Sequence, residues 1–346
     1  MKVKSVNPKF DHIFKMTSRV GFYQFADKSH PDFRFGYSID DQARALIMAI
    51  KLYQDTNELK FKRIAKIYLK FISRAQVASG LFHNFANNKG EFTDNIGSED
   101  CFGRVIWALG YTIFSDIFKL NNRALKIWHK AVKNFDLIKP VRSRSFIILG
   151  LYYYLKKKPE KKYLDILEEL ANNLIKDYQK NSFKDWLWFE NKLTYSNAIM
   201  PYSLFKTYRI VKNQKYLEIA RKSLDFLNQV CKEKGKPAPI GFDGWYRRGK
   251  NKALFGQQPI DAADMVLANL EVYYLTHEKK YSEEAKLWFS WFLGNNLLGE
   301  KLYNSQDGGC RDGLFSDRPN PNQGAESTIL FHLANLSLKD LERSQI

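Results

Sequence analysis

The 346-residue sequence predicts an all-α protein, an (α/α)6 toroid of about six helical hairpins, and three observations predict it. Apolar residues recur at helical spacing along most of the chain, while period-2 alternation flanked by hairpin turns is nearly absent. The helical segments come in pairs joined by short turns such as Gln54–Asn57 and Glu278–Tyr281. First members of the pairs begin near residues 40, 99, 142, 196, 260 and 324, a recurrence of about 43–64 residues that reads as an array of α-hairpins. An open solenoid repeats more uniformly. Here the connections between hairpins are long, irregular and polar, as expected when six hairpins close into a ring and the loops at one rim carry function.

The helices are expected at 40–54, 58–78, 99–118, 120–136, 142–156, 160–180, 196–211, 213–233, 260–276, 281–295 and 324–340, with a short one at 8–16. The longest loop is Gly235–Gln258. No Pro/Gly/Ser-rich linker interrupts the pattern, so one domain over residues 1–346 is expected. With 45% hydrophobic and 15% aromatic residues, the chain is able to bury a large core.

Three cysteines, Cys101, Cys231 and Cys310, form neither a disulfide framework nor a CxxC knuckle, which favours a reducing compartment. The start MKVKSVNPKFDHIF has no apolar h-region, and no run reaches the roughly 20 apolar residues of a membrane span. A cytoplasmic protein with no membrane partner is expected. The net charge of +18 invites a nucleic-acid reading. The lysines, however, are spread along helix faces, and the densest group, KKKPEKK at 156–162, falls in a turn. A solvated lysine-rich surface explains them, and no nucleic-acid partner is expected.

Polar residues gather where first helices begin. The clusters are Tyr37–Arg44 with Asp40 and Asp41, Ser98–Arg104 with Asp100, Leu193–Ala198 with Tyr195 and Asn197, Gln257–Ala262 with Gln258 and Asp261, and Asn322–Ser327 with Glu326. If hairpins alternate in direction around a ring, these five starts converge on one pocket. Capping explains part of the pattern, since Ser38 and Ser98 suit N-caps and first-turn acids favour the macrodipole. It does not call for doubled acids followed by Arg44 and Arg104.

The segment Asp185–Tyr195 sets Glu190 among Trp186, Trp188 and Phe189. Aromatic faces stack on the apolar faces of sugar rings, neighbouring carboxylates bond hydroxyls, and a carboxyl beside tryptophans is partly desolvated, which suits a general acid. A buried aromatic staple between hairpins is the plainer alternative. The glycine-rich stretch Leu302–Leu314 lacks the phosphate-loop patterns and reads as a rim loop supplying Arg311 and Asp312. His12, His30, His83, His129, His277 and His332 show no metal-ligand spacing. No GxSxG elbow is present either, and neither metal nor cofactor is expected.

Four elements carry a family resemblance: Asp40–Leu46, Glu99–Gly110, Trp186–Ala198 and Asn320–Thr328. Through them the chain resembles the six-hairpin glycosidase superfamily, the toroids that include unsaturated glucuronyl hydrolases and several endoglucanases. It is most similar to a bacterial group of glycosidase-like and glycosyltransferase-like proteins within it. The resemblance implies a glycoside hydrolase acting on a soluble oligosaccharide, inverting, with carboxyls about 6.5–9.5 Å apart. Glu190 is the first candidate for acid or base, with Asp41, Asp100 and Glu326 for the other role. Asp40, Arg44, Arg104, Trp188, Tyr195, Asn197, Gln258, Asp261, Arg311 and Asp312 are expected to bind sugar hydroxyls or orient the acids. Alternatives on the same scaffold are a phosphorylase, with Arg44, Arg104 or Arg311 holding phosphate, and a sugar epimerase, which calls for paired histidines absent from these clusters. A non-catalytic carbohydrate-binding protein is the alternative from another class.

Overall fold

Among the described residues every predicted helical segment is a helix, with corrections confined to its ends, and position 118 of the segment at 99–118 lies outside those residues. The computed structural model describes residues 3–117 and 119–345. Among them are α1 (Asp11–Met16), α2 (Ile39–Thr56), α3 (Leu59–Ala75), α4 (Glu99–Ser115), α5 (Leu120–Ala131), α6 (Val141–Lys157), α7 (Lys161–Asn181), α8 (Ile199–Val211), α9 (Gln214–Val230), α10 (Pro259–Thr276), α11 (Lys279–Ser290) and α12 (Ala325–Ser344). Strands are two-residue bridges: β1 (Ala26–Asp27), β2 (His30–Pro31), β3 (Tyr37–Ser38), β4 (Phe85–Ala86), β5 (Lys192–Leu193), β6 (Lys232–Glu233), β7 (Lys236–Pro237) and β8 (Tyr246–Arg247). They pair antiparallel as β1–β2, β3–β4, β5–β8 and β6–β7.

Second helices of the pairs are amphipathic, and first helices are buried nearly all round. In α3, Phe61, Ile64, Ala65, Tyr68, Leu69 and Ile72 face inward while Lys60, Lys66 and Lys70 face solvent. This accounts for the scattered lysines. In α4, the buried residues run almost without a break from Cys101 to Ile113. Among the described residues no helix is long and apolar enough to cross a membrane.

The chain divides into two compact units, Phe14–Asn172 and Met1–Ile13 with Asn173–Ile346. No composition change in the sequence marks the division.

In the first unit α2, α4 and α6 run parallel, because they meet at both ends in the same order. At the N-terminal end Arg104 pairs with Asp40 and Ser143 donates to Asp100, while at the C-terminal end Tyr111 donates to Gln54 and packs edge-on against Tyr153. The α4–α6 seam depends on missing side chains. A Cβ on Gly110 would lie 2.1 Å from the Gly150 carbonyl oxygen, and one on Gly150 would lie 2.4 Å from that of Ile106.

In the second unit α8, α10 and α12 are also parallel. Ser196 and Asn197, just before α8, bond Asp264 and Asp261 at the start of α10. Further along, Lys206 donates to Glu271 at 2.6 Å and Arg209 donates to the same carboxylate. Burial pushes the Glu271 carboxyl up, but these two cations outweigh it and hold it below the usual range. The Gln345 amide reaches Tyr273 at the far end of α10.

Replacing Gly110 by alanine tests the seam. In an ordinary helix the change gains about 0.5–1 kcal/mol. Here the overlap with Gly150 makes it destabilising by about 1–3 kcal/mol, read as a lowered urea midpoint at unchanged m-value.

Candidate functional site

Within each unit, the parallel helices bring their own polar clusters to one end. In the first unit Ser38 caps α2. Its Oγ accepts from the Asp41 amide at 3.2 Å and donates to Asp41 Oδ2 at 2.6 Å. Arg44 donates to Asp41 Oδ1 at 2.9 Å, one turn along the same helix. Asp40 points the other way, with Oδ1 3.4 Å from Arg104 Nε. The Arg104 guanidinium lies over the Phe146 ring, 4.2 Å from its centroid. Ser98 caps α4 by accepting from the Cys101 amide. Cys101 is packed beneath that start, its thiol pushed up by burial and by the neighbouring Asp40, Asp94 and Asp100 carboxylates. Arg44 and Arg104 are therefore buried partners of the acids.

Sequence reading placed the start of α6 but did not single out its arginines. Arg142 and Arg144 are buried there, flanking the Ser143 that holds Asp100. Two arginines in the first turn of an apolar helix behind Pro140 were the available signal.

In the second unit the segment around Glu190 is fixed at several points. The Trp186 indole donates to the Glu190 carbonyl at 2.7 Å and the Asn181 amide to the Phe189 carbonyl at 2.8 Å. Leu193 pairs with Tyr246 in the β5–β8 bridge. Glu190 itself is half-buried. Trp188 is corrected: it is 0% exposed, stacked on Phe226 and edge-on to Phe189, so neither face is open to a sugar.

An open aromatic surface lies instead at Tyr195 and Trp245, both half-buried, with ring centroids 6.3 Å apart. Trp245 was missed because it stands in the long loop away from the clusters. It holds a left-handed backbone, φ 58°, fixed by hydrogen bonds to Gly241 and from Ala253. A bulky residue there costs about 1–3 kcal/mol, and such strain concentrates at functional positions.

The α8 cluster does not cap its helix. Ser196 is left-handed at φ 49°, which ends the segment and delays the helix to Ile199. Asn197 instead closes a turn with Thr194 through two hydrogen bonds, at 3.1 and 2.7 Å. Asn197 and Asp261 are buried, and Gln258 occupies the N-cap of α10 without a side-chain cap bond.

The loop before α12 places Asp312. Its amide donates to the Asn322 carbonyl, and the following residue, Gly313, is left-handed with φ 146°. A Cβ at Gly313 would meet the Gln257 carbonyl oxygen at 2.2 Å, so glycine lets this loop lie against the start of α10. Asp312 Oδ1 accepts from the Gly324 amide at 2.7 Å and from Ser327 Oγ at 2.5 Å. Burial pushes the Asp312 carboxyl up to about 6, with the Glu326 charge adding to it against those two hydrogen bonds. Arg311 and Glu326 are half-buried beside it. Two adjoining surface grooves, about 520 and 380 Å³, share Gln229, Val230 and Tyr246 and are lined by none of the candidate residues.

No family model matches the sequence, and no curated protein matches it. Solved structures do match. A cellobiose 2-epimerase from Bacillus thermoamylovorans superposes with a TM-score of 0.77 at 12% identity, over 97% of this chain and 96% of that one. A D-mannose isomerase gives 0.76 at 13% identity, over 96% and 94%. An α-1,6-mannanase from Salegentibacter gives 0.67 at 12% identity, over 96% of both chains. At such identities the likeness is one of fold: the chain has an (α/α)6-toroid fold.

Trp188→Ala is expected to cost about 3–5 kcal/mol of stability, measured by urea denaturation. Ligand affinity of the folded fraction should stay as in the parent, because the ring is enclosed.

Proposed function

We propose, from this fold and the chemistry of the helix starts, that the protein is a carbohydrate-active enzyme, specifically a glycoside hydrolase acting on a soluble oligosaccharide in the cytoplasm. The observation that carries the reading is that the starts of α2, α4, α10 and α12 each bear carboxylates and no histidine. Hydrolysis needs one carboxylic acid to protonate the leaving oxygen and one carboxylate to activate water. Glu190, Asp41, Asp100 and Glu326 are the candidates for these roles. Asp40, Arg44, Arg104, Asn197 and Asp261 position them through the bonds described above, while Gln258, Arg311 and Asp312 meet sugar hydroxyls. Tyr195 and Trp245 replace Trp188 as the stacking surface.

The structural likeness extends to an epimerase and an isomerase, so proton-transfer chemistry at a sugar carbon is the competing reading. The histidines of the second unit do not favour it. His332 Nε2 donates to the Gly308 carbonyl, 2.8 Å away, and burial pulls its ring down to about 4, which leaves it neutral. His12 is bound to the Gln323 carbonyl at 2.7 Å.

Incubating purified protein with a panel of oligosaccharides, with and without phosphate, separates the readings. Released reducing sugar independent of phosphate is expected. Sugar 1-phosphate would indicate phosphorolysis, and a new epimer without chain shortening would overturn hydrolysis. On the substrate so found, Glu190→Gln is expected to lower turnover by about 10²–10⁴ with little change in binding. Near-parental turnover would shift the role to Asp41, Asp100 or Glu326. Trp245→Ala should do the opposite, raising KM more than it lowers kcat, which steady-state kinetics reads directly.

A further inference from the structure

We propose that the two adjoining grooves between α9 and the stretch at 246–252 form a second binding site, for an acidic oligosaccharide whose sugars carry carboxylate or sulfate groups. The saccharide part rests on the carbohydrate reading above, and the anionic part rests on the groove alone.

One face of α9 makes a wall of the groove. Lys222, Phe226 and Gln229 follow one another along it at helical spacing. Gln229, Val230 and Tyr246 line both grooves, so the two are continuous, and their volumes of about 520 and 380 Å³ each fall in the range of small-molecule sites. Two joined lobes suit a short chain of sugars better than a single ring.

The floor is set before any ligand arrives. Tyr246 lies edge-on to Trp186 with ring centroids 5.2 Å apart, and Phe226 packs on the same indole at 5.4 Å. Pairing with Leu193 holds the Tyr246 backbone, and the Trp186 indole is anchored on the Glu190 carbonyl. Half-buried Tyr246 and Leu187 therefore offer a fixed apolar surface on which the C–H face of a sugar ring packs. Tyr246 follows Trp245 in the chain, so one loop supports both this groove and the proposed stacking surface.

Charge selects the kind of sugar. Four lysines and two aspartates line the grooves. Lys252 is committed within the protein, donating to the Val230 and Lys232 carbonyls at 2.9 and 2.6 Å and lying 3.3 Å from Glu233. Asp225 is committed too, accepting from Lys280 and from the Tyr281 hydroxyl at 3.3 Å. That leaves Lys184, Lys222 and Lys250 against Asp185, all of them exposed. Among the described residues none of these four side chains makes a hydrogen bond or an ion pair, and Lys184 only overlies the Phe183 ring. Three uncommitted cations against one acid favour an anionic ligand. Gln229 and Asn251, whose amides both donate and accept, and the Tyr246 hydroxyl suit the hydroxyls of a sugar. An ordinary solvated lysine face has neither the concave wall nor the aromatic floor.

Isothermal titration calorimetry at low salt with trigalacturonate, sulfated maltotriose, maltotriose and triglutamate tests this. At least one acidic saccharide should bind, and which one binds tells carboxylate from sulfate. Maltotriose should bind about ten-fold more weakly, the combined effect of several exposed ion pairs, and added salt should weaken the acidic ligand. Lys222→Gln and Lys250→Gln are each expected to weaken it about two- to five-fold, and the double variant by about the product. Melting temperature should stay as in the parent, because both side chains are exposed. Unchanged affinity in the double variant puts the ligand elsewhere and overturns the proposal. So does triglutamate or maltotriose binding as tightly as the acidic saccharides, or neither acidic saccharide binding at all. All these outcomes leave the hydrolase reading standing. That reading fails separately, when no oligosaccharide is cleaved while the titration still reports binding in the groove.

Discussion

Three positions of the α4–α6 seam carry no side chain. Gly103, Gly110 and Gly150 let the helices approach until the carbonyls of one face the Cα atoms of the other. That closeness brings Ser143 within reach of Asp100 and lays the Arg104 guanidinium on Phe146. A methyl group in the seam would separate the helices and, because packed interiors relax only partly, would move Glu99 and Asp100 at the start of α4 as well. Helix packing and the placement of acids are one constraint here, expressed at two ends of the same elements.

The acids so placed differ in what surrounds them. Asp41 is enclosed, bonded by the cap serine and an arginine one turn away, so its charge is matched within α2. Glu271, deep along α10, is matched by Lys206 and Arg209. Asp312 has two neutral donors on one oxygen and a carboxylate for a neighbour. Glu271 and Asp312 are thereby driven in opposite directions, Glu271 below the ordinary carboxylate range and Asp312 above it.

Helical periodicity made the architecture legible, because the spacing of apolar residues is a local property of the sequence. The caps Ser38 and Ser98 were legible for the same reason. What periodicity did not carry was the direction of single side chains. Trp188 and Tyr195 look alike as aromatic neighbours of Glu190, yet only the packing against Phe226 distinguishes the enclosed ring from the open one. The start of α8 was placed too early, since nothing local announces that Ser196 turns left-handed to reach Asp264. Arg142 and Arg144 were hidden inside an apolar helix, and the proton affinity of Asp312 depends on a residue brought back by the turn of the Asn320–Gly324 loop. The division into two units left no trace in composition.

The first residues of the chain belong to the unit that contains its last. Ser5 binds Glu342 through both its amide and its hydroxyl, Val6 exchanges two hydrogen bonds with Asn335, and the His12 amide donates to Asp307. During synthesis Ser5 and Val6 precede Glu342 and Asn335 by 337 and 329 residues. Residues 14–172 are complete before those partners are made, whereas the segment at 5–12 has to wait for them. Contacts of such separation carry a large loop-closure entropy and form late. Closure of the segment is therefore a natural late step of folding, and the loop that holds Asp312 gains its His12 support only then.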